Sequence, residues 1–320
     1  MSAVRGRYAP SPTGPLHLGN ARTALLAWLD ARARGGAFVM RIEDVDFTRA
    51  RPEFEARLLL DLRWLGLDWD EGPDVGGPFA PYRQSERGDR YAAALARLDV
   101  YPCTCTRREL RALPVTSMTG EPVYSGTCRN GQSHPGRPAA IRWRVPPGNV
   151  GFVDRLCGAY HQDIARDVGD FVLRRGDGAW AYQLAVVADD ADMGITDIVR
   201  GADLLDSTPR QLHLLRALDP GLSEPRFAHV PLILGAGGAK LSKRDGAPDL
   251  GALREAGASP GRVLAALGRS VGLVPPEIRE VRPHELLTAV SATDPLAGLV
   301  PQPLESRRFV TSPTSSSGAP

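Results

Sequence analysis

Ser11-Pro12-Thr13-Gly14-Pro15-Leu16-His17-Leu18-Gly19-Asn20 follows a short strand-like stretch, Gly6 to Ala9, and opens a run in which Leu25, Leu26, Leu29 and Ala33 recur at helical spacing. The spacing predicts a helix from Leu18 to Arg34, ended by Gly35-Gly36. A Pro/Gly turn between a strand and a helix leaves helix N-terminal amides and the positive end of the dipole at the strand's exit, which is a phosphate-binding geometry. His17 can donate to a phosphate oxygen, and Gly19 lets a nucleotide approach the backbone. Phe38 to Ile42 reads as a buried strand and Pro52 to Leu65 as a second helix, with Phe54, Leu58, Leu62 and Leu65 on one face. Strand, helix, strand and helix in that order indicate a parallel α/β sheet.

The chain has 320 residues, enough for a catalytic domain and one or two smaller pieces. Hydrophobic residues make up 42% and charged residues 24%, ordinary values for a soluble domain. No run of about eighteen apolar residues is present to span a bilayer, and the N-terminus has no apolar leader before Pro10. A cytoplasmic, non-membrane protein is expected. A net charge of +2 gives no bulk basic signature, so contact with nucleic acid must come from a local arginine patch.

Only two of the 39 basic residues are lysines, Lys240 and Lys243. They stand in Lys240-Leu241-Ser242-Lys243-Arg244, after Gly235-Ala236-Gly237-Gly238. A loop with two ammonium groups and an arginine can close on a triphosphate and stabilise charge developing at the α-phosphate. A Walker P-loop is excluded, because Gly-Gly-Ala-Lys-Leu does not fit its spacing.

From Tyr101 to about Asp163 the pattern becomes short and rich in Pro and Gly, which suggests an insertion into the sheet domain. Phe171 to Arg175 and Ala179 to Val187, joined by Gly176-Asp177-Gly178, are expected to form a hairpin, with a further strand from Ile195 to Val199. After Thr208 the chain reads as mainly helical, and the tail from Pro303 is small and polar. No internal repeat is present.

Taken together, Tyr8 to Ala24, with His17-Leu18-Gly19-Asn20 at the "HIGH" position, and Lys240 to Arg244 at the "KMSKS" position, resemble the class I glutamyl-tRNA synthetases. The last residue of the first signature is Asn20 in place of histidine. Arg41-Ile42-Glu43-Asp44 looks like that family's amino-acid-recognition strand, and Gly194 to Gly201 its later strand; the likeness spans roughly residues 5 to 270. The resemblance implies a Rossmann-type parallel sheet whose first half spans residues 1–100 and second half 166–215. It implies a zinc-bearing insertion over 101–165, a short C-terminal helical region over 216–302 and a tail over 303–320. It further implies that Arg7 and Ser11 hold the substrate carboxylate, that Glu43 holds the α-ammonium, and that Tyr182 and Arg200 complete a glutamate pocket. ATP with Mg²⁺ would lie on His17, Gly19, Asn20, Lys240 and Lys243, with His17 and Lys243 taking part in catalysis. The chemistry is coherent: glutamate carries two carboxylates and one ammonium, so a selective pocket needs an arginine fork and an acidic partner for the amine.

Cys103, Cys105 and Cys128 cluster in the insertion, and three thiolates suit Zn²⁺ with one more ligand. Similarity to the zinc site of some family members makes Tyr124 the fourth ligand; His134 is the conventional competitor. Cys157 reads as an isolated core thiol.

Fewer than eighty residues follow Arg244, too few for a helical anticodon-binding region. That shortened architecture, and the run from Arg200 to Gln211, resemble the glutamyl-Q tRNA(Asp) synthetases. The likeness implies tRNA-independent activation of L-glutamate and its transfer to the queuosine base in the anticodon of tRNA(Asp); a monomer is expected. The alternatives are a minimal enzyme charging a tRNA 3′ end and a silent tRNA-binding paralogue.

Overall fold

A computed structural model describes residues 3–113, 122–232 and 249–299. Strand β1 (Arg5–Tyr8) leads through the Pro/Gly turn into helix α1 (Leu18–Arg32), and the chain returns as β2 (Ala37–Met40) alongside β1. The two strands are parallel, with Arg5 opposite Ala37 and Tyr8 opposite Met40. Gly6 permits α1 to lie close on β1, since a Cβ there would stand 3.0 Å from that of Ala31. Helix α2 (Pro52–Trp64) and helix α3 (Gly88–Leu95) follow.

A three-stranded antiparallel sheet comes next, made of β3 (Val100–Cys103), β4 (Ala140–Trp143) and β7 (Val172–Arg174). Helix α4 (Arg107–Arg111) follows β3, and Thr106 and Glu109 cap its N-terminus reciprocally. Between β4 and β7 lie a hairpin of β5 (Asn149–Asp154) and β6 (Gly158–Asp163), and helix α5 (Ile164–Asp167). The main sheet resumes after helix α6 (Tyr182–Asp192) with β8 (Asp197–Gly201), helix α7 (Thr208–Leu218) and β9 (Arg226–Val230). Helices α8 (Leu250–Glu255), α9 (Pro260–Arg269) and α10 (Pro283–Thr288) complete the described residues.

The four-stranded sheet has the order β2-β1-β8-β9 and every pairing is parallel. Side chains alternate between its faces. Phe38, Met40, Val199, Ala228 and Val230 join the core beneath α1 and α9, whereas Val39, Ile198 and Phe227 join the core beneath α6 and α7. Burial on both faces explains why these strands read as continuous apolar runs. The chain winds outward from β1 to β2 on one side and from β8 to β9 on the other. The carboxyl ends of β1 and β8 therefore flank a topological switch point, where open α/β sheets bind ligands.

Two expectations are corrected. Ala179 to Val187 is not the second strand of a hairpin: only Trp180 bridges Arg174, and α6 begins at Tyr182. The turn is as expected, with Gly178 at φ +90° and the Arg175 amide donating to the Ala179 carbonyl at 2.8 Å. Leu184, Ala185, Val186 and Val187 are all buried, so the run has no polar face to reveal a helical period. The described elements after Thr208 are mainly helical, as expected, but they include β9, which extends the parallel sheet. Cys157 is exposed at the tip of the β5–β6 hairpin and is not a core thiol; its Sγ donates to the His229 carbonyl at 3.3 Å. No helix of the described residues is long and apolar enough to cross a membrane.

Candidate active site

A cavity of about 800 Å³ opens at the switch point. Eight of the residues singled out in the sequence line it: Arg7 from β1, Ser11 from the turn, His17, Gly19 and Asn20 from the start of α1, Glu43 beyond β2, Tyr182 at the start of α6, and Arg200 from β8. His17 is the N-cap of α1 and makes no side-chain cap, so the first amides of the helix keep their capacity to receive an anion. Lys240 and Lys243 lie outside the described residues. The chain departs for that segment from Leu232, which lines the cavity, and returns at Asp249, which bridges His17. The Leu250 amide donates to the Leu16 carbonyl at 2.9 Å, fixing the return beside the turn.

The floor of the cavity is ionic. Arg7 donates to Asp190 from Nε and Nη2 at 3.3 and 3.4 Å, and Arg41 donates to the same carboxylate at 2.7 Å. Arg41 also reaches Glu43 at 3.2 Å. Asp189, the neighbour of Asp190, faces away from the cavity, accepting from Arg87, Gln84 and Tyr91 at 2.6, 2.8 and 2.8 Å. Burial pushes the Glu43 carboxyl above its ordinary value, against the pull of Arg41 and Arg7. Burial pushes Asp190 the same way, but the two arginines overcome it and hold that carboxyl low. The site thus presents a firmly ionised, already paired Asp190 and a Glu43 that gains from a further cation.

Arg200 is held separately. Nε donates to His229 Nε2 at 3.0 Å and Nη2 to Thr208 Oγ1 at 2.8 Å, while Nη1 has no partner among the described residues. Sequence reading placed Arg41 and Thr208 within family-like runs without giving either a role, and it missed Asp190 and His229. The adjacent Asp189 and Asp190, following the apolar run Leu184 to Ala188, were the available signal for Asp190, since buried carboxylates need cationic partners. His229 had none, because the strand that carries it was not foreseen.

The sulfurs of Cys103, Cys105 and Cys128 all lie within 4.8 Å of one another. The Tyr124 hydroxyl is 3.3 Å from Cys103 and 3.5 Å from Cys105. His134 turns away, with Nε2 2.8 Å from Glu109. Burial works against ionisation of Cys128, yet hydrogen bonds from Ser133 outweigh it and bring the thiol down to about 5. The Arg142 guanidinium lies 3.8 Å over the Tyr124 ring. Tyr124 itself is fixed by a bridge to Gly169, whose φ is +70°; a Cβ there would meet the Tyr124 carbonyl at 2.6 Å.

An α/β sheet with a cavity at its switch point, lined by a strand-to-helix turn and by buried arginines, has the organisation of a class I tRNA synthetase catalytic domain. The family described as tRNA synthetases class I (E and Q), catalytic domain, matches residues 3–295. Similar proteins include the glutamyl-Q tRNA(Asp) synthetase of Deinococcus radiodurans, 55% identical over 84% of this chain and 89% of that protein. That of Symbiobacterium thermophilum is 51% identical over 88% and 90%. Among solved structures, a glutamate tRNA ligase from Elizabethkingia meningosepticum, in complex with its amino acid, superposes with a TM-score of 0.80 at 30% identity, covering 96% of this chain and 68% of that one. The chain belongs to the glutamyl-Q tRNA(Asp) synthetase family of class I tRNA synthetases.

Proposed function

We propose that the protein activates L-glutamate with ATP, without tRNA, and transfers the glutamyl group to the queuosine base of tRNA(Asp). The observation that carries the first half is the pairing, in one cavity, of Arg200, whose Nη1 has no partner among the described residues, and of Glu43 with its carboxyl pushed up by burial. The two groups match a carboxylate and an ammonium of one small amino acid. Glutamine would leave a buried guanidinium donor unpaired, the kind of mismatch that gives strong discrimination. The second half rests on relatives of that printed name at 51–55% identity along nearly their whole length.

In this reading Arg7, Ser11 and Arg200 hold the carboxylates, Glu43 the ammonium, and Tyr182 closes the side of the pocket. An oxygen of the glutamate α-carboxylate attacks the α-phosphate, the α–β bridging bond breaks, and pyrophosphate leaves. His17, Gly19, Asn20 and the α1 amides bind the nucleotide, with Lys240 and Lys243 reaching the phosphates from the segment between Leu232 and Asp249; Mg²⁺ accompanies ATP. A queuosine hydroxyl then attacks the mixed anhydride and AMP departs. Residues 101–165 would carry a structural Zn²⁺ on Cys103, Cys105, Cys128 and Tyr124. Tetrahedral zinc with Zn–S near 2.3 Å requires sulfurs about 3.8 Å apart, and Cys105 and Cys128 stand at 3.6 Å. These ligands would tie β3 to the 124–128 turn through the ion. The protein is proposed to be a cytoplasmic monomer.

Glutamate-dependent exchange of pyrophosphate into ATP, measured without tRNA, tests activation. Exchange in the wild type that is abolished by Lys243→Ala supports the reading; exchange only when tRNA(Glu) is added contradicts it.

A further inference from the structure

Arg200 on β8 and His229 on β9 are paired neighbours in the parallel register, so their side chains emerge on the same face. His229 is wholly buried, and its Nδ1 lies 2.6 Å from Oδ2 of Asp154, the last residue of β5. The other oxygen of Asp154 accepts the backbone amides of Leu156, Cys157 and His229 at 3.0, 2.8 and 3.1 Å. Burial pushes Asp154 up, but these hydrogen bonds outweigh it and hold the carboxyl below its ordinary value, so it is an acceptor only. Nδ1 therefore carries the imidazole proton, and Nε2 presents a lone pair. That lone pair faces Arg200 Nε at 3.0 Å, a group that can only donate, with the Thr208 hydroxyl a second neighbour at 3.1 Å. Thr208 and the Leu204 carbonyl hold Nη2 at 2.8 and 3.5 Å, and Nη1 has no partner among the described residues.

We propose that His229, oriented by Asp154, is a positioning residue: its Nδ1–H tautomer holds the Arg200 guanidinium in the attitude that receives a carboxylate of the amino-acid substrate. The proposal rests on the reading of this cavity as a glutamate site. Arginine loses considerable rotamer freedom when it binds an anion. Here that ordering is completed before the substrate arrives, which is the general advantage of a preorganised site. Burial pushes His229 below its ordinary value despite the opposing pull of Asp154, and the nearby charges of Arg200 and Arg7 act in the same direction as burial. The ring therefore stays neutral. A protonated ring would turn Nε2 into a donor facing a donor. The β5–β6 hairpin, remote in sequence from the parallel sheet, thereby contributes to specificity through a single carboxylate.

Asp154→Asn separates this role from a merely structural one. The three backbone amides keep an acceptor oxygen, so the turn is retained, but the amide NH₂ now faces Nδ1. The imidazole proton must move to Nε2, where it opposes Arg200 Nε–H. His229→Gln is the complementary variant, because its amide oxygen can stand where Nε2 stands. In pyrophosphate exchange, Asp154→Asn is expected to raise KM for glutamate at least about tenfold, while kcat and KM for ATP stay within about twofold; His229→Gln is expected to lie closer to the wild type. Nitrogen-15 shifts of the ligand-free protein are expected to show Nδ1 protonated in the wild type and Nε2 protonated in Asp154→Asn. An unchanged glutamate KM in Asp154→Asn, or a wild-type ring protonated at Nε2, overturns the proposal. A fall in melting temperature and kcat with KM unmoved in both variants also overturns it, since that is a structural role. No glutamate-dependent exchange in the wild type overturns the glutamate reading and this proposal's substrate with it, whereas exchange with an unaltered KM overturns the proposal alone.

Discussion

Asp190 accepts from Arg41 at 2.7 Å, and Arg41 is completely buried. The pair joins β2's exit to α6 and stands behind two cavity-lining groups, since Asp190 also holds Arg7 and Arg41 also holds Glu43. The arrangement has an asymmetric energetic consequence. A buried ion pair adds little net stability over an apolar replacement, but removing one partner strands the other.

Arg41→Ala is therefore expected to destabilise the fold by about 3–5 kcal/mol, because it leaves Asp190 and Glu43 without their shared cation. Urea unfolding, with the change read at constant slope, checks this. A loss below about 1 kcal/mol would mean that the pocket relaxes to admit water.

Glu43 sets a pH dependence whose sign follows from burial. Its carboxyl titrates above the ordinary value in the ligand-free protein, so the charged form is disfavoured until an ammonium arrives. Its folded-state contribution to stability is present below the unfolded value near 4.5 and lost as pH rises through the raised value. Glutamate binding acts oppositely: it favours the ionised carboxylate and releases a proton. Affinity for L-glutamate should fall as pH drops through the raised value of Glu43. Glu43→Gln should flatten that dependence and weaken binding at neutral pH by about 1.5–3 kcal/mol, the range for a hydrogen bond to a charged group. Calorimetric titration across the acidic range checks both; a pH dependence that survives in Glu43→Gln contradicts the assignment.

The cysteine cluster predicts one Zn²⁺ per chain by elemental analysis. Cys105→Ser and Cys128→Ser should lose it, and Tyr124→Phe should retain it less tightly against a chelator. Gly169→Ala should cost about 1–3 kcal/mol, because a side chain is forced into a left-handed conformation and onto the Tyr124 carbonyl; thermal unfolding reads this. Full zinc content in Tyr124→Phe at every chelator concentration would remove the tyrosine from the ligand set.

The parallel sheet was legible at its first turn because the signal there is local: a strand, a Pro/Gly turn ending at His17, and a helical run with Gly35 at its end. The cavity residues from Arg7 to Glu43 lie on that same unit, within one stretch of chain. The second half was harder. α6 carries Tyr182 and Asp190 yet is apolar on nearly every side, so periodicity could not tell it from a strand. His229 and Asp154 are 75 residues apart and meet only because a hairpin folds back onto β9. Contacts that join distant elements leave no trace in local pattern. Cys157 illustrates the converse, since hydrophobic character alone gave no sign that the hairpin tip would expose it.

The most direct test of the account is transfer of labelled glutamate, in the presence of ATP, to tRNA(Asp) carrying queuosine and to the same tRNA with guanosine at that position. The account predicts labelling of the queuosine form alone, at the anticodon. Equal labelling of both forms, or labelling at the 3′ end of tRNA(Glu), would contradict it.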